Sequence, residues 1–258
     1  GHLPDELPEA VRHNIDSFRR MHWEAEHRLW SADEIRAFIA VHFEKSVLDA
    51  YDTLDAFALK ADLARYCLLY VHGGLYSDLS NRFVSRWRIG ADKEIGFFRD
   101  HKPLHGALWM NQNSILYAAP GQPEIRLAID LVVENVSKRE YGVSSLAPSG
   151  PVLFGRAMAV SGRAGQYQVG QAINVQVEGA LNRSSYVNAD GTMVAIRLQG
   201  SGGRPMEIGL LGTNEYGVMW EQRKIYGEGR HYFAHDNPAV QTKADRQDDG
   251  VHLSLIHI

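Results

Sequence analysis

Three charged residues stand where they could act on one ligand together. Asp62 and Arg65 lie in Ala58-Leu59-Lys60-Ala61-Asp62-Leu63-Ala64-Arg65-Tyr66, and Asp78 lies in Gly73-Gly74-Leu75-Tyr76-Ser77-Asp78-Leu79-Ser80. Residues three apart on a helix share a face. Read alone, Asp62 and Arg65 make a surface ion pair worth about 0.2–0.5 kcal/mol. Asp78 falls where a strand should end, and open α/β sheets bind ligands beyond their strand ends. Read alone, it caps a turn. Asp-bearing strand ends serve metal-dependent transfer and hydrolysis alike, so the three residues leave both chemistries open.

These groups need a helix, a stop and a strand in succession. Leu59, Leu63, Tyr66, Cys67 and Tyr70 give one apolar face to a helix from Asp55 to about His72. Gly73-Gly74 ends it, since glycine accepts the left-handed backbone that helix C-termini often need. Leu75 to Leu79 follows as a strand. Upstream, Val11, Ile15 and Phe18 mark an amphipathic helix within Leu7 to Met21, and His27 to Trp30 reads as a short strand. Ser31-Ala32-Asp33-Glu34 has the capping-box pattern ahead of Ile35, Phe38 and Ile39. Downstream, Glu94–Arg99 and Ser114–Tyr117 read as strands. Pro123 opens a helix through Val136, and Pro148 to Val160 gives a turn and a further helix. From Gln168 on, alternation dominates, with Ile173, Val175 and Val177, then Met193 to Leu198, around an Asn188–Gly191 turn. Without repeat or linker, residues 1–252 are expected to form a single mixed α/β domain.

Composition narrows the field. The chain has 258 residues, 45% hydrophobic and 22% charged, with 27 Lys+Arg against 31 Asp+Glu and a formal charge of −4. These are soluble-globular values, with no uninterrupted apolar run long enough to span a bilayer. Sequence-independent nucleic-acid binders are usually basic, so nucleic acid is not an expected partner. The single cysteine, Cys67, permits no internal disulfide and reads as a small buried apolar group. The last six residues, Leu253-Ser254-Leu255-Ile256-His257-Ile258, equal one translated frame of a common sequencing adapter, so 253–258 are expected to be read-through.

Taken together, Asp62, Arg65, Gly73, Gly74, Tyr76 and Asp78 resemble the sugar-binding region of DXD-type glycosyltransferases of family 32. That family includes yeast-type mannosyltransferases and bacterial polysaccharide enzymes, with glucosylating toxins as relatives. Its pattern is a helix with Asp-x-x-Arg followed by GG-x-Tyr-x-Asp-x-Asp. Ile15–Phe18 through Arg28–Arg36, Asn113-Ser114 with Ala119–Pro123, and Ser149-Gly150-Pro151 resemble further blocks of the family. The resemblance covers about residues 10–160 and is vague beyond.

It implies a GT-A-like α/β nucleotide-binding sandwich with a mixed central sheet. It also implies metal-assisted transfer of a hexose from a UDP- or GDP-sugar to a saccharide or lipid-linked acceptor, with retention of configuration. A cytoplasmic or membrane-peripheral setting fits those relatives. Asp62, Arg65 and Asp78 are the implied catalytic residues. Gly74, Tyr76 and Asn113 join them at the donor, and Asp78 would hold Mn²⁺ or Mg²⁺, cations that favour hard oxygen ligands. Such a cation offsets charge developing on the diphosphate leaving group.

The chain departs from the pattern in two places. Position 80 is Ser rather than Asp, and a hydroxyl is a weaker metal ligand. His235 is the candidate that completes the metal shell with Asp78 and Ser80. The family's opening strand is absent, so an inner strand edge is expected to be bare. Ser77 and Asn81 could also compensate for Ser80, and Asn214 and Tyr216 could border an acceptor. Arg82, Arg86 and Arg88 read as a solvated loop, and Arg197, Arg204, Arg223 and Lys224 as scattered charges. A catalytically silent nucleotide-sugar or glycan binder is the competing reading. A metal-dependent phosphoester hydrolase ranks last, since the further Asp/His ligands of a two-metal site are missing.

Overall fold

The computed structural model describes residues 7–100, 109–175, 183–198, 215–227 and 254–257. Its first helix, α1 (Glu9–Met21), buries Val11, Ile15 and Phe18 on the predicted face. A short strand, β1 (Glu26–Leu29), leads into α2 (Ala32–His42) through the expected capping box. The Ser31 Oγ accepts from the Glu34 amide, and the Glu34 carboxylate accepts from the Ser31 amide at 2.8 Å. The next helix, α3 (Lys45–Thr53), has no counterpart in the sequence reading. Then come α4 (Phe57–His72), β2 (Gly74–Ser77), β3 (Asn81–Phe83), β4 (Ile95–Arg99) and β5 (Asn111–Ala118). The chain continues with α5 (Pro123–Ser137), α6 (Pro151–Ser161), β6 (Tyr167–Val175), β7 (Arg183–Val187) and β8 (Met193–Arg197). Two short elements complete it, α7 (Tyr216–Glu221) and β9 (Ser254–His257).

One mixed sheet of nine strands runs in the order β1-β9-β2-β5-β4-β6-β7-β8-β3. The pairs β1/β9, β9/β2 and β4/β6 are parallel, and the others are antiparallel. This is the α/β sandwich with a mixed central sheet that the resemblance implies. On one face, α2 to α6 enclose the larger core, which includes Leu63, Tyr66, Leu116, Ile129 and Phe154. On the other, Phe18 joins Leu75, Phe98, Ile115, Tyr186 and Val194 in a second core.

The strand order dictates a curl. Strands β2 and β3 are six places apart in the sheet, yet only residues 78–80 separate them in sequence. Four steps of extended chain span at most about 14 Å. The sheet must bend back until its β3 end approaches β2. Asn81 Nδ2 spans that seam, donating to the Ser114 carbonyl of β5 at 2.9 Å. Asp78, Leu79 and Ser80 therefore sit where the two ends of the curl meet.

Strand β9 lies parallel between β1 and β2. Among the described residues, no helix is long and apolar enough to cross a membrane.

Candidate functional site

The helix and strand around Gly73 are matched in length. Asp62 lies eleven residues before Gly73, about 16 Å along a helix at 1.5 Å per residue. Asp78 lies five residues after it, about 16 Å along a strand at 3.3 Å per residue. The reversal at Gly73 thus brings both residues level. Arg65, one turn along the same face as Asp62, falls between them.

The side chains meet in one network. Arg65 Nη2 lies 3.0 Å from Asp62 Oδ1, and its Nη1 lies 3.2 Å from Asp78 Oδ1. Arg65 also donates from Nη1 to the Asn113 carbonyl at 2.6 Å and from Nε to the Ala61 carbonyl at 3.1 Å. Tyr76 donates its hydroxyl to Asp78 Oδ1 at 2.6 Å, and its ring lies under the guanidinium. Asp62 accepts from Asn113 Nδ2 and from Ser149 Oγ, each at 2.8 Å. The surface-pair reading of Asp62 and Arg65 is therefore wrong. The Arg65 side chain is 4% exposed and that of Asp62 12%, because α4 is covered on nearly all sides by α5, α6 and the sheet. Asp78 is the open member, its side chain 23% exposed.

Burial raises the Asp62 pKa against the pull of Arg65, Ser149 and Asn113. For Arg65 burial acts to lower the pKa, but the Asp78 carboxylate, with Tyr76 and Asp62, overrides it and the net shift is upward. Burial also drives Tyr66 and Tyr76 well above an ordinary phenol, so both act as neutral hydrogen-bond partners. Gly74 carries a left-handed φ of 99° and is buried at the start of β2. It shapes the turn.

Three residues of the network were missed in the sequence reading. Tyr66 donates to the Ser149 carbonyl at 2.9 Å and accepts from Asn113 Nδ2 at 2.8 Å. Ser149 reaches Asp62 just ahead of α6, where helix amides favour negative charge. Arg197, read as a scattered charge, is on β8 in register with Asn81. Burial lowers its pKa, but Tyr186 and Asp78 raise it and prevail. The seam explains the error: Arg197 is distant in sequence, and only the curl brings it to Asp78. The Ser149-Gly150-Pro151 block carried a signal for Ser149, whereas Arg197 left none. Arg82, read as part of a loop, sits instead on β3 and donates to Asn14 Oδ1 at 3.2 Å. Arg86 pairs with Glu24.

Beside Asp78, three buried polar atoms have no hydrogen-bond partner among the described residues: Ser80 Oγ, Asn81 Oδ1 and Arg197 Nε. Buried polar groups are rarely left so. Ser80 Oγ and Arg197 Nε can donate to a ligand oxygen, whereas Asn81 Oδ1 can only accept. No group of three or more His, Cys, Asp or Glu that could hold a metal occurs among the described residues. A cation held by one carboxylate, one hydroxyl and a ligand's phosphates remains compatible with Asp78 and Ser80, the sparse mode Mg²⁺ often uses. Of the other candidates, Ser77 Oγ contacts the Asp78 carbonyl and Asn81 Nδ2. His235 and Asn214 lie outside the described residues, and Tyr216 opens α7.

The chain is similar to known glycosyltransferases. Residues 8–114 match the family described as glycosyltransferase sugar-binding region containing DXD motif. The matched stretch holds Asp62, Arg65 and Asp78. The chain is 28% identical over 151 residues to an uncharacterized glycosyltransferase, L373, of Acanthamoeba polyphaga mimivirus, covering 58% of each chain. It is 25% identical over 152 residues to the putative glycosyltransferase HOC1 of Saccharomyces cerevisiae, covering 53% of this chain and 38% of the relative. The chain thus spans about half the length of these curated relatives. Among solved structures, the PaToxG glycosyltransferase aligns with a TM-score of 0.47 and 17% identity, over 62% of this chain and 64% of that one.

Proposed function

We propose that this chain transfers a hexose from a nucleotide-diphosphate sugar to a saccharide or lipid-linked hydroxyl. The observation that carries the reading is the buried Asp62–Arg65–Asp78 network, with only Asp78 facing outward at the seam. In this reading the donor diphosphate lies against Asp78, Ser80 and Arg197. Ser80 Oγ and Arg197 Nε then gain the partners they lack. Mn²⁺ or Mg²⁺ at Asp78 and Ser80, when bound, would offset charge developing on the diphosphate.

Arg65 holds the Asp78 carboxylate in a fixed direction, as does the Tyr76 hydroxyl. Such positioning lowers the orientational cost of reaching the transition state. Asp62 has its oxygens occupied by Asn113, Ser149 and Arg65, so its role is to anchor the network rather than attack the sugar. In the transfer, the bond from the anomeric carbon to the phosphate oxygen breaks, and its electron pair leaves on the diphosphate. The acceptor oxygen bonds that carbon, and its proton passes to a diphosphate oxygen on the same face, giving retention. Arg197 stabilises the charge left on the diphosphate.

The test is nucleotide release from a panel of UDP- and GDP-hexoses with Mn²⁺. Release that falls at least a hundredfold in Asp78→Ala is the expected result. Nucleotide-sugar binding without turnover would instead support a silent binder, and turnover of simple phosphoesters a hydrolase.

A further inference from the structure

Next to the charged network lies a cavity of about 500 Å³, walled by β4, β5, β6 and α6. We infer that it is the acceptor subsite and that it takes a neutral saccharide; this rests on the transferase reading above.

Position is the first argument. Asn111 lines the cavity, and Asn113, two residues along β5, holds Asp62. Residues two apart on a strand share a face and lie about 7 Å apart. An acceptor seated here is therefore one strand repeat from the network that would fix the donor. Arg99 of β4 pairs with Asn111 in the sheet register and lines the same cavity.

Chemistry is the second. The inner wall is apolar and aromatic, with Phe97, Tyr167 and Met158. At the wall stands Trp109, which is 44% exposed, a large apolar side chain left open to solvent. Its backbone is pressed onto α6 at Gly155, where an added Cβ would lie 1.9 Å from the Trp109 carbonyl oxygen. The Trp109 main chain is thereby fixed against α6 at the cavity wall. Sugar rings present an apolar C–H face and a girdle of hydroxyls. Aromatic walls suit the face, and a few placed polar groups suit the girdle.

Charge is the third. Arg99 and Asp100 both line the cavity, so these two residues add no net formal charge to it, and the Asp100 carboxylate accepts from Gln112 Nε2. A phosphate or carboxylate would meet the aspartate as well as the arginine, whereas uncharged hydroxyls can use both. The cations that suit the diphosphate lie elsewhere, at Arg65 and Arg197.

The experiment is saturation-transfer NMR on the full chain without donor. The probes are methyl α-D-mannopyranoside, methyl β-D-glucopyranoside and maltose, with uridine, guanosine and decanol as controls. Two variants are used: Trp109→Ala removes the platform, and Ala159→Trp, at an exposed helix position on the cavity wall, fills it. Thermal unfolding confirms that both fold. The expected result is transfer to sugar C–H protons, with affinity reduced at least tenfold in Trp109→Ala and binding lost in Ala159→Trp. The inference is overturned if no glycoside binds, if binding survives both variants, or if the nucleosides or decanol take the Trp109-dependent site. Trp109-dependent glycoside binding upholds it even where the nucleotide-release assay is negative, so the two readings fail separately.

Discussion

Replacing Arg65 with methionine tests the network at its centre. The side chain keeps much of its volume but loses the guanidinium, which lies 3.0 Å from Asp62 and 3.2 Å from Asp78. Asp62 is then a buried carboxylate without its cation, and Asp78 loses its closest counter-charge. Removing one partner of a buried pair costs about 3–5 kcal/mol. The Asn113 and Ala61 carbonyls lose donors as well, which places the change toward the upper end. Total stability is about 5–15 kcal/mol for such domains, so the effect is a large fraction of the whole. With a urea m-value of about 2 kcal/mol per molar, the midpoint should fall by about 1.5–2.5 M.

Two further measurements separate charge from packing. Adding Asp62→Asn to Arg65→Met removes the stranded charge and should recover about 1–2 kcal/mol, a coupling typical of contacting residues. Lowering the pH should also narrow the deficit. Burial already raises the Asp62 pKa, and Arg65 is the largest influence pulling it down. Without Arg65 the folded carboxyl binds its proton more readily than the unfolded one. Stability is then retained near and below the unfolded value and lost as pH rises through the folded one. A midpoint shift under 0.5 M, or a deficit independent of pH, would refute the buried-pair account.

Two other outcomes are expected. Burial, then Arg19, lowers the His27 pKa to about 4, so the unfolded chain takes up the proton first and stability is lost as pH falls from 6.5 toward 4. By linkage the loss is about 2 kcal/mol after discounting for solvent at a partly open ring; His27→Gln should flatten that part of an acid-unfolding profile, and an unaltered slope would count against it. Ser80→Asp supplies a second carboxylate beside Asp78 and should tighten Mn²⁺ binding by about tenfold, since ligand charge sets affinity for hard cations. Calorimetry showing no change in affinity would mean that residue 80 does not share the Asp78 site.

Much of the Asp62–Arg65–Asp78 network was legible because it is local. The Asp-x-x-Arg helix, the double-glycine stop and the strand lie within 17 residues, and segment lengths alone bring Asp62 level with Asp78. The capping box at Ser31 and the apolar face of α1 were equally readable, each being a short-range pattern. What escaped depends on distance. The burial of Arg65 was hidden because the sequence marks one apolar face on α4, whereas the fold buries every residue from Asp62 to Leu69. Arg197 belongs to the network only through a curl fixed by six strand pairings. The cavity at Trp109 draws on β4, β5, β6 and α6, and no spacing in the chain announces it.

Gly73 has a φ of 65°, and a Cβ there would lie 2.7 Å from Pro120 Cδ and 3.0 Å from the Ala118 carbonyl. The joint between α4 and β2 is thus wedged against the start of the following loop, with no slack to rotate. The backbone beneath Asp78 is preorganised as a consequence. A ligand arriving at Asp78 need not spend affinity on ordering the backbone beneath it. Backbones of the empty and occupied forms should superpose here to within about 1 Å, as in other rigid binding faces. Adaptation to different ligands would then fall to side chains at the rim, leaving the helix–strand joint to act as a fixed datum.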